Sequence, residues 1–199
     1  MEKISVLLFD IGGVLVENTG YDALNALLPQ ALSDAAIREK WLRSAAVREF
    51  ELGRISPSVF ARRFIAEWRI NLSEDRFLEE FYGWPKAFYE GAACLLAGLR
   101  ENYRICCLSN SNELHWKKFN GFSGLFDIAF SSHLLQQIKP DQDIYRNVIR
   151  QLDVKPQHIC FFDDSLSNVI AARQIGMSAF CVNGFQQLKA SLQGQGLLK

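Results

Sequence analysis

The chain has 199 residues, 49% of them hydrophobic, which is enough for one compact core with a smaller inserted unit but short for two full domains. Its 22 Lys and Arg balance 22 Asp and Glu, so no basic stripe invites nucleic acid and no like-charged run reads as a tail. Cys94, Cys106, Cys107, Cys160 and Cys181 are odd in number, lack a C-x-x-C pair and lie mostly in apolar runs, which argues against zinc or a disulfide framework and for a reducing cytoplasm.

The first apolar run, residues 4–9, stops abruptly at Asp10-Ile11-Gly12-Gly13 and reads as a buried parallel strand. It is too short for a signal peptide, and no later stretch is long enough to span a bilayer. Residues 21–81 carry helix signals and no strand signal. Ser33 and Asp34 open a run through Phe50 with Trp41, Ala45 and Phe50 as apolar anchors; Ser56-Pro57 opens a second through Trp68; Ser73 opens a third. Beyond them, helical patterns at 87–100, 144–151, 168–174 and 185–192 alternate with apolar strands at 103–108, 128–130, 159–162 and 179–182. The alternation predicts an α/β fold, a doubly wound parallel sheet covered on both faces. One helix would return the chain from strand one to strand two. Several helices there predict a small helical cap at 17–83, inserted into a core of 1–16 and 84–199.

The polar chemistry follows the predicted strands: Asp10 after the first, Ser109-Asn110 after the second, Lys139-Pro140 after the third, Asp163-Asp164 after the fourth. Loops beyond the carboxyl ends of parallel strands face one crevice, so these positions are expected to converge. Three carboxylates, a lysine, a hydroxyl and an amide suit a phosphate ester with a hard cation such as Mg2+, which prefers oxygen ligands. Aspartate is a covalent nucleophile for phosphoryl groups. Each element alone has a structural explanation as turn former, cap or solvated surface. Asp163 and Asp164 directly follow the apolar 159–162, however, and repel each other unless a cation relieves them.

The segments LLFDIGGVL, LSNSN, IKPD and FFDDSLSN resemble, in this order, the four motifs of the haloacid dehalogenase (HAD) superfamily. The resemblance covers nearly the whole chain and implies a Rossmann-like core, with the helical insertion at the place of the family's C1-type caps. It implies Asp10 as nucleophile, Ser109 and Asn110 as phosphoryl-binding residues, and Lys139 as both catalytic and phosphoryl-stabilising. It further implies Asp164 as the main magnesium ligand, aided by Asp10, Asp163 and the Gly12 carbonyl, with Asn168 behind them. The expected function is a magnesium-dependent phosphatase acting on a small phosphorylated metabolite through an aspartyl-phosphate.

One departure stands out. The family's phosphatases usually carry a second aspartate two positions after the nucleophile, as acid and base, and here that position is Gly12. SNSNELH and FELGRIS resemble a bacterial subgroup that shares this Gly and includes anomeric sugar-phosphate phosphatases; an anomeric oxygen leaves with less protonation. His115 and Glu17 are substitute proton donors off the motif, and the stretch Glu51-Leu52-Gly53-Arg54 is a candidate for substrate contact. Two rivals follow: a phosphate- and metal-binding module without turnover, and a metal-independent 2-haloacid dehalogenase, against which the Asp163-Asp164 pair argues. The expected partner is a small-molecule phosphate ester rather than nucleic acid or membrane. Monomer and dimer are equally open.

Overall fold

The computed structural model describes residues 3–122 and 124–198. Its centre is a five-stranded parallel sheet of β1 (Val6–Phe9), β4 (Arg104–Ser109), β5 (Ile128–Ser131), β6 (Ile159–Asp163) and β7 (Ser178–Cys181), in the order β5-β4-β1-β6-β7. Alternate side chains of its strands serve two cores. Leu7, Phe9, Ile105, Cys107 and Phe162 face one side, covered by α6 (Ala92–Arg100) and α11 (Phe185–Gly194). Val6, Leu8, Cys106, Leu108 and Phe161 face the other, covered by α9 (Gln142–Leu152) and α10 (Leu166–Gln174). Burial on both faces is why these strands are continuous apolar runs instead of alternating ones. After β5 the chain crosses to the opposite side of β1, so the ends of β4, β1 and β6 flank the point where strand order reverses.

Between β1 and α6 lies a lobe of α1 (Gly20–Leu27), α2 (Asp34–Arg43), α3 (Ala45–Glu51), α4 (Pro57–Trp68) and α5 (Glu74–Gly83). It has its own aromatic core of Phe50, Phe60, Phe64, Trp68, Phe77, Phe81 and Trp84. Serine hydroxyls open its helices: Ser33, Ser44, Ser56 and Ser73 accept from the backbone N–H groups of Ala36, Val47, Val59 and Arg76. Ser44 corrects the single run predicted over 34–50. Its backbone is extended, ending α2 and capping α3, while its hydroxyl donates to Glu67 at 2.9 Å.

A second correction lies at the lobe's two crossings. β2 (Val16–Asn18) and β3 (Pro85–Phe88) form an antiparallel pair where the sequence predicted helix from residue 87; helix begins only at Ala92. The short helices α7 (Glu113–Lys118) and α8 (Ser132–Leu135) follow β4 and β5. No helix of the described residues is long and apolar enough to cross a membrane, and all five cysteines are free.

Candidate functional site

Asp10 extends β1, with its backbone N–H donating to the Phe162 carbonyl of β6 at 2.8 Å, so its side chain emerges between the ends of β4 and β6. Lys139, 3% exposed, reaches the same point from the loop before α9. Its Nζ donates to Asp10 Oδ1 at 2.9 Å, Asp163 Oδ2 at 2.7 Å and the Leu108 carbonyl at 2.8 Å. All three ammonium hydrogens are thereby used. Burial opposes the Lys139 charge, but Asp10 and Asp163 outweigh it, and the pKa is raised. Burial also raises the Asp10 carboxyl against the pull of Lys139, with Asp163 and Asp164 adding to it. Asp164 is pushed up to about 6, first by burial and then by Asp163.

The residues singled out in the four motifs come together here, but they divide the work unequally. Asp163 is fully buried. Its Oδ1 accepts from the Ser165 N–H at 2.8 Å and from Asn168 Nδ2 at 2.9 Å, while Oδ2 takes Lys139, so this carboxylate sits behind the crevice. The Asn110 carboxamide is engaged as well: Nδ2 donates to the Lys139 carbonyl and Oδ1 accepts the Lys139 N–H, both at 2.9 Å. Asn110 therefore clamps the lysine loop with its side chain. Ser109 lies buried at the end of β4, its hydroxyl making only a 3.4 Å contact with the Asn110 carbonyl. In the turn after Asp10, the left-handed glycine is Gly13 (φ 74°). The turn requires glycine there, and a Cβ on Gly13 would lie 2.7 Å from Asp164 Oδ2 and displace that carboxylate.

Asp10, Asp163 and Asp164 each place a carboxylate oxygen within 4.8 Å of the others. Three acids share one lysine, and the donors are all hard oxygens, so the set fits a divalent cation such as magnesium. With Asp163 committed to Lys139 and Asn168, Asp10 and Asp164 are the carboxylates that would hold it, and Gly12 lines the same cavity.

A cavity of about 480 Å³ opens over these groups, walled on the far side by the helical lobe through Tyr21, Arg38, Trp41, Arg48 and Glu51. Arg38 lies 4.6 Å over the Tyr21 ring, and Arg48 pairs with Asp141 of the core at 2.6 Å. Of the predicted stretch 51–54, Glu51 faces the cavity; Arg54 points away and pairs with Glu49 at 3.2 Å. Nothing in the sequence distinguished Arg38 and Arg48 from surface arginines. His115 lines the cavity but has no free nitrogen: Nε2 meets the Phe81 carbonyl at 2.8 Å and Nδ1 meets Asn112 Nδ2 at 3.2 Å. Its ring stacks on Phe81, and burial lowers its pKa to about 4. That removes it as a proton donor. Glu17 is exposed on β2 and does not line the cavity.

The family model of the haloacid dehalogenase-like hydrolases matches residues 4–176. A D-ribitol-5-phosphate phosphatase of Bacteroides thetaiotaomicron is 26% identical, covering 89% of this chain and 91% of its own. Flavin mononucleotide hydrolase 1 of Arabidopsis thaliana is 27% identical over 98% of this chain and 79% of its own. Among solved structures, a HAD-family enzyme of B. thetaiotaomicron in complex with magnesium and inorganic phosphate superposes with a TM-score of 0.73, at 24% identity over 90% of this chain and 94% of that one. At that identity the superposition establishes the fold.

Proposed function

The chain belongs to the haloacid dehalogenase-like hydrolase family, and from that premise we propose that it is a magnesium-dependent phosphatase acting on the phosphomonoester of a small polyol. The observation that carries the reading is the convergence of Asp10, Asp164 and Lys139 at the ends of β1, β4 and β6, beneath a cavity of metabolite size. Asp10 attacks phosphorus and becomes the aspartyl-phosphate; Lys139, fixed through Asp10 Oδ1, holds that carboxylate in one rotation and balances the incoming negative charge. Ser109 donates its hydroxyl to a phosphoryl oxygen. Magnesium, when bound, supplies further positive charge against those oxygens. Asp163 and Asn168 keep Lys139 charged and oriented from behind.

Two relatives support the polyol. Ribitol 5-phosphate and flavin mononucleotide both carry phosphate on the primary alcohol at the end of a ribityl chain, unlike the anomeric esters suggested by the sequence. The lobe's wall of Tyr21, Arg38 and Glu51 offers polar groups for such a chain. The test is phosphate release from ribitol 5-phosphate, flavin mononucleotide and glucose 1-phosphate with magnesium present. Turnover of the first or second is expected, with loss to below a few per cent in Asp10→Asn while the circular dichroism stays unchanged. Tight binding without release from any of them would identify a phosphate-binding module instead.

A further inference from the structure

We propose that Glu51, carried by the helical lobe, is the acid–base residue of this site and takes the role for which Gly12 has no side chain. The proposal rests on the phosphatase reading above. In the first step a bond forms between Asp10 and phosphorus while the bond from phosphorus to the alcohol oxygen breaks. The electron pair stays on that oxygen, which takes the Glu51 proton and leaves as the free alcohol. In the second step water attacks the phosphorus of the aspartyl-phosphate, the Glu51 carboxylate takes the proton from that water, and Asp10 departs as a carboxylate. Glu51 ends protonated, and one ester and one water have become one alcohol and one phosphate.

The cavity wall supplies the argument by elimination. Asp10 is the nucleophile and Asp164 belongs to the cation. Lys139 has spent its three hydrogens, and both ring nitrogens of His115 are engaged. The Tyr21 hydroxyl, raised to about 12 chiefly by burial, holds its proton too tightly to exchange it at neutral pH. Glu51 is the carboxylic acid left among the described residues that line the cavity.

Its placement has no structural explanation. Glu51 is the last residue of α3, where a carboxylate meets the negative end of the helix dipole. It is partly buried, and its carboxylate makes no hydrogen bond or ion pair among the described residues, with Arg48 one turn earlier acting on it only through space. A carboxyl so placed is cheaper to keep protonated. Burial, offset in part by Lys139 and then reinforced by Asp10, raises it to about 7, close to the best value for exchanging a proton in both directions. The substrate class makes the same demand, because a primary alkoxide is a poor leaving group and needs a proton as it departs.

The experiment compares Glu51→Gln with wild type on ribitol 5-phosphate and on p-nitrophenyl phosphate, whose phenolate leaves unaided. We expect kcat/KM, which reports the first step alone, to fall about a hundredfold or more on the alkyl ester and to stay within about threefold on the aryl ester, the range general acid catalysis covers; kcat on both should fall, because the same group activates water in the second step. The thermal midpoint should hold or rise, since a neutral amide replaces an unpaired carboxyl. Glu51→Asp, which keeps an acid one methylene short, should lose less on the alkyl ester than Glu51→Gln. Equal losses of kcat/KM on both esters, or none, would overturn the assignment of Glu51 and leave the phosphatase reading intact. A wild-type protein that releases phosphate from neither ester would overturn both.

Discussion

With its three N–H bonds spent on Asp10, Asp163 and the Leu108 carbonyl, Lys139 compensates two buried carboxylates at once. Lys139→Met leaves them facing each other unpaired, and breaking a buried charge cluster in this way costs about 3–5 kcal/mol. Chemical denaturation at neutral pH should show that loss, and adding Asp163→Asn should recover part of it. His115 sets a second residue-level expectation. Its folded pKa of about 4 lies below the 6.5 of the free imidazole, chiefly through burial, so the unfolded chain binds the extra proton between those values. The stability it contributes is full above pH 6.5 and falls as pH drops towards 4, by roughly 3 kcal/mol in all. Glu51 and Asp10, raised by burial, slope the opposite way over an overlapping range, so the measurable quantity is the difference between wild type and His115→Asn. That difference should shrink steadily from pH 7 to pH 5. Asp10, Ser109, Lys139 and Asp164 were legible in the sequence because each ends or follows an apolar strand in a distinctive order. The partner of the Asn110 amide was not, since an amide bonds whatever the fold brings to it, and here that is the Lys139 backbone.

At the level of elements, α3 and the turn after it join lobe to sheet. Gly53 sits at φ 67°, and a Cβ there would come within 2.6 Å of the carbonyl oxygen of His133 in α8. Gly53→Ala should therefore cost about 1–3 kcal/mol in backbone strain and push the lobe off the core. Because Glu51 rides on the same turn, KM and kcat for the alkyl ester should worsen together, which steady-state kinetics will read. The Arg48–Asp141 pair spans the same junction but is half exposed at both ends, so it orients the surfaces and adds little stability. The central strands β1, β4 and β6 were legible because near-continuous burial leaves an unbroken apolar run, and the edge strands β5 and β7 because their shorter runs are still mostly apolar. The β2–β3 pair was not: three residues against four, with Pro85 and Lys86 in one strand, give no period to read. The break at Ser44 was hidden for a related reason, since a capping serine inside an apolar-periodic run looks like any polar residue of the outer face.

For the whole molecule, the acid cluster makes stability depend on the cation. A ligand bound only by the folded chain stabilises it by about 2.7 kcal/mol at a hundredfold excess over Kd. Magnesium should therefore raise the thermal midpoint of wild type, and Asp164→Ala should abolish the rise; an unchanged magnesium response in that variant would remove Asp164 from the cation site. The tryptophans, for their part, are unevenly distributed. Of the four, Trp68 and Trp84 are buried in the lobe's aromatic core and Trp41 packs against it, while Trp116 packs on the sheet side. Ultraviolet emission from this protein is thus mainly a report on one lobe, whereas far-ultraviolet dichroism reports on both. Denaturation curves from the two signals will coincide if lobe and sheet melt as one and separate if the lobe opens first. Trp41 and Trp84 also line the cavity, so the same emission should respond to an occupant before any phosphate is released.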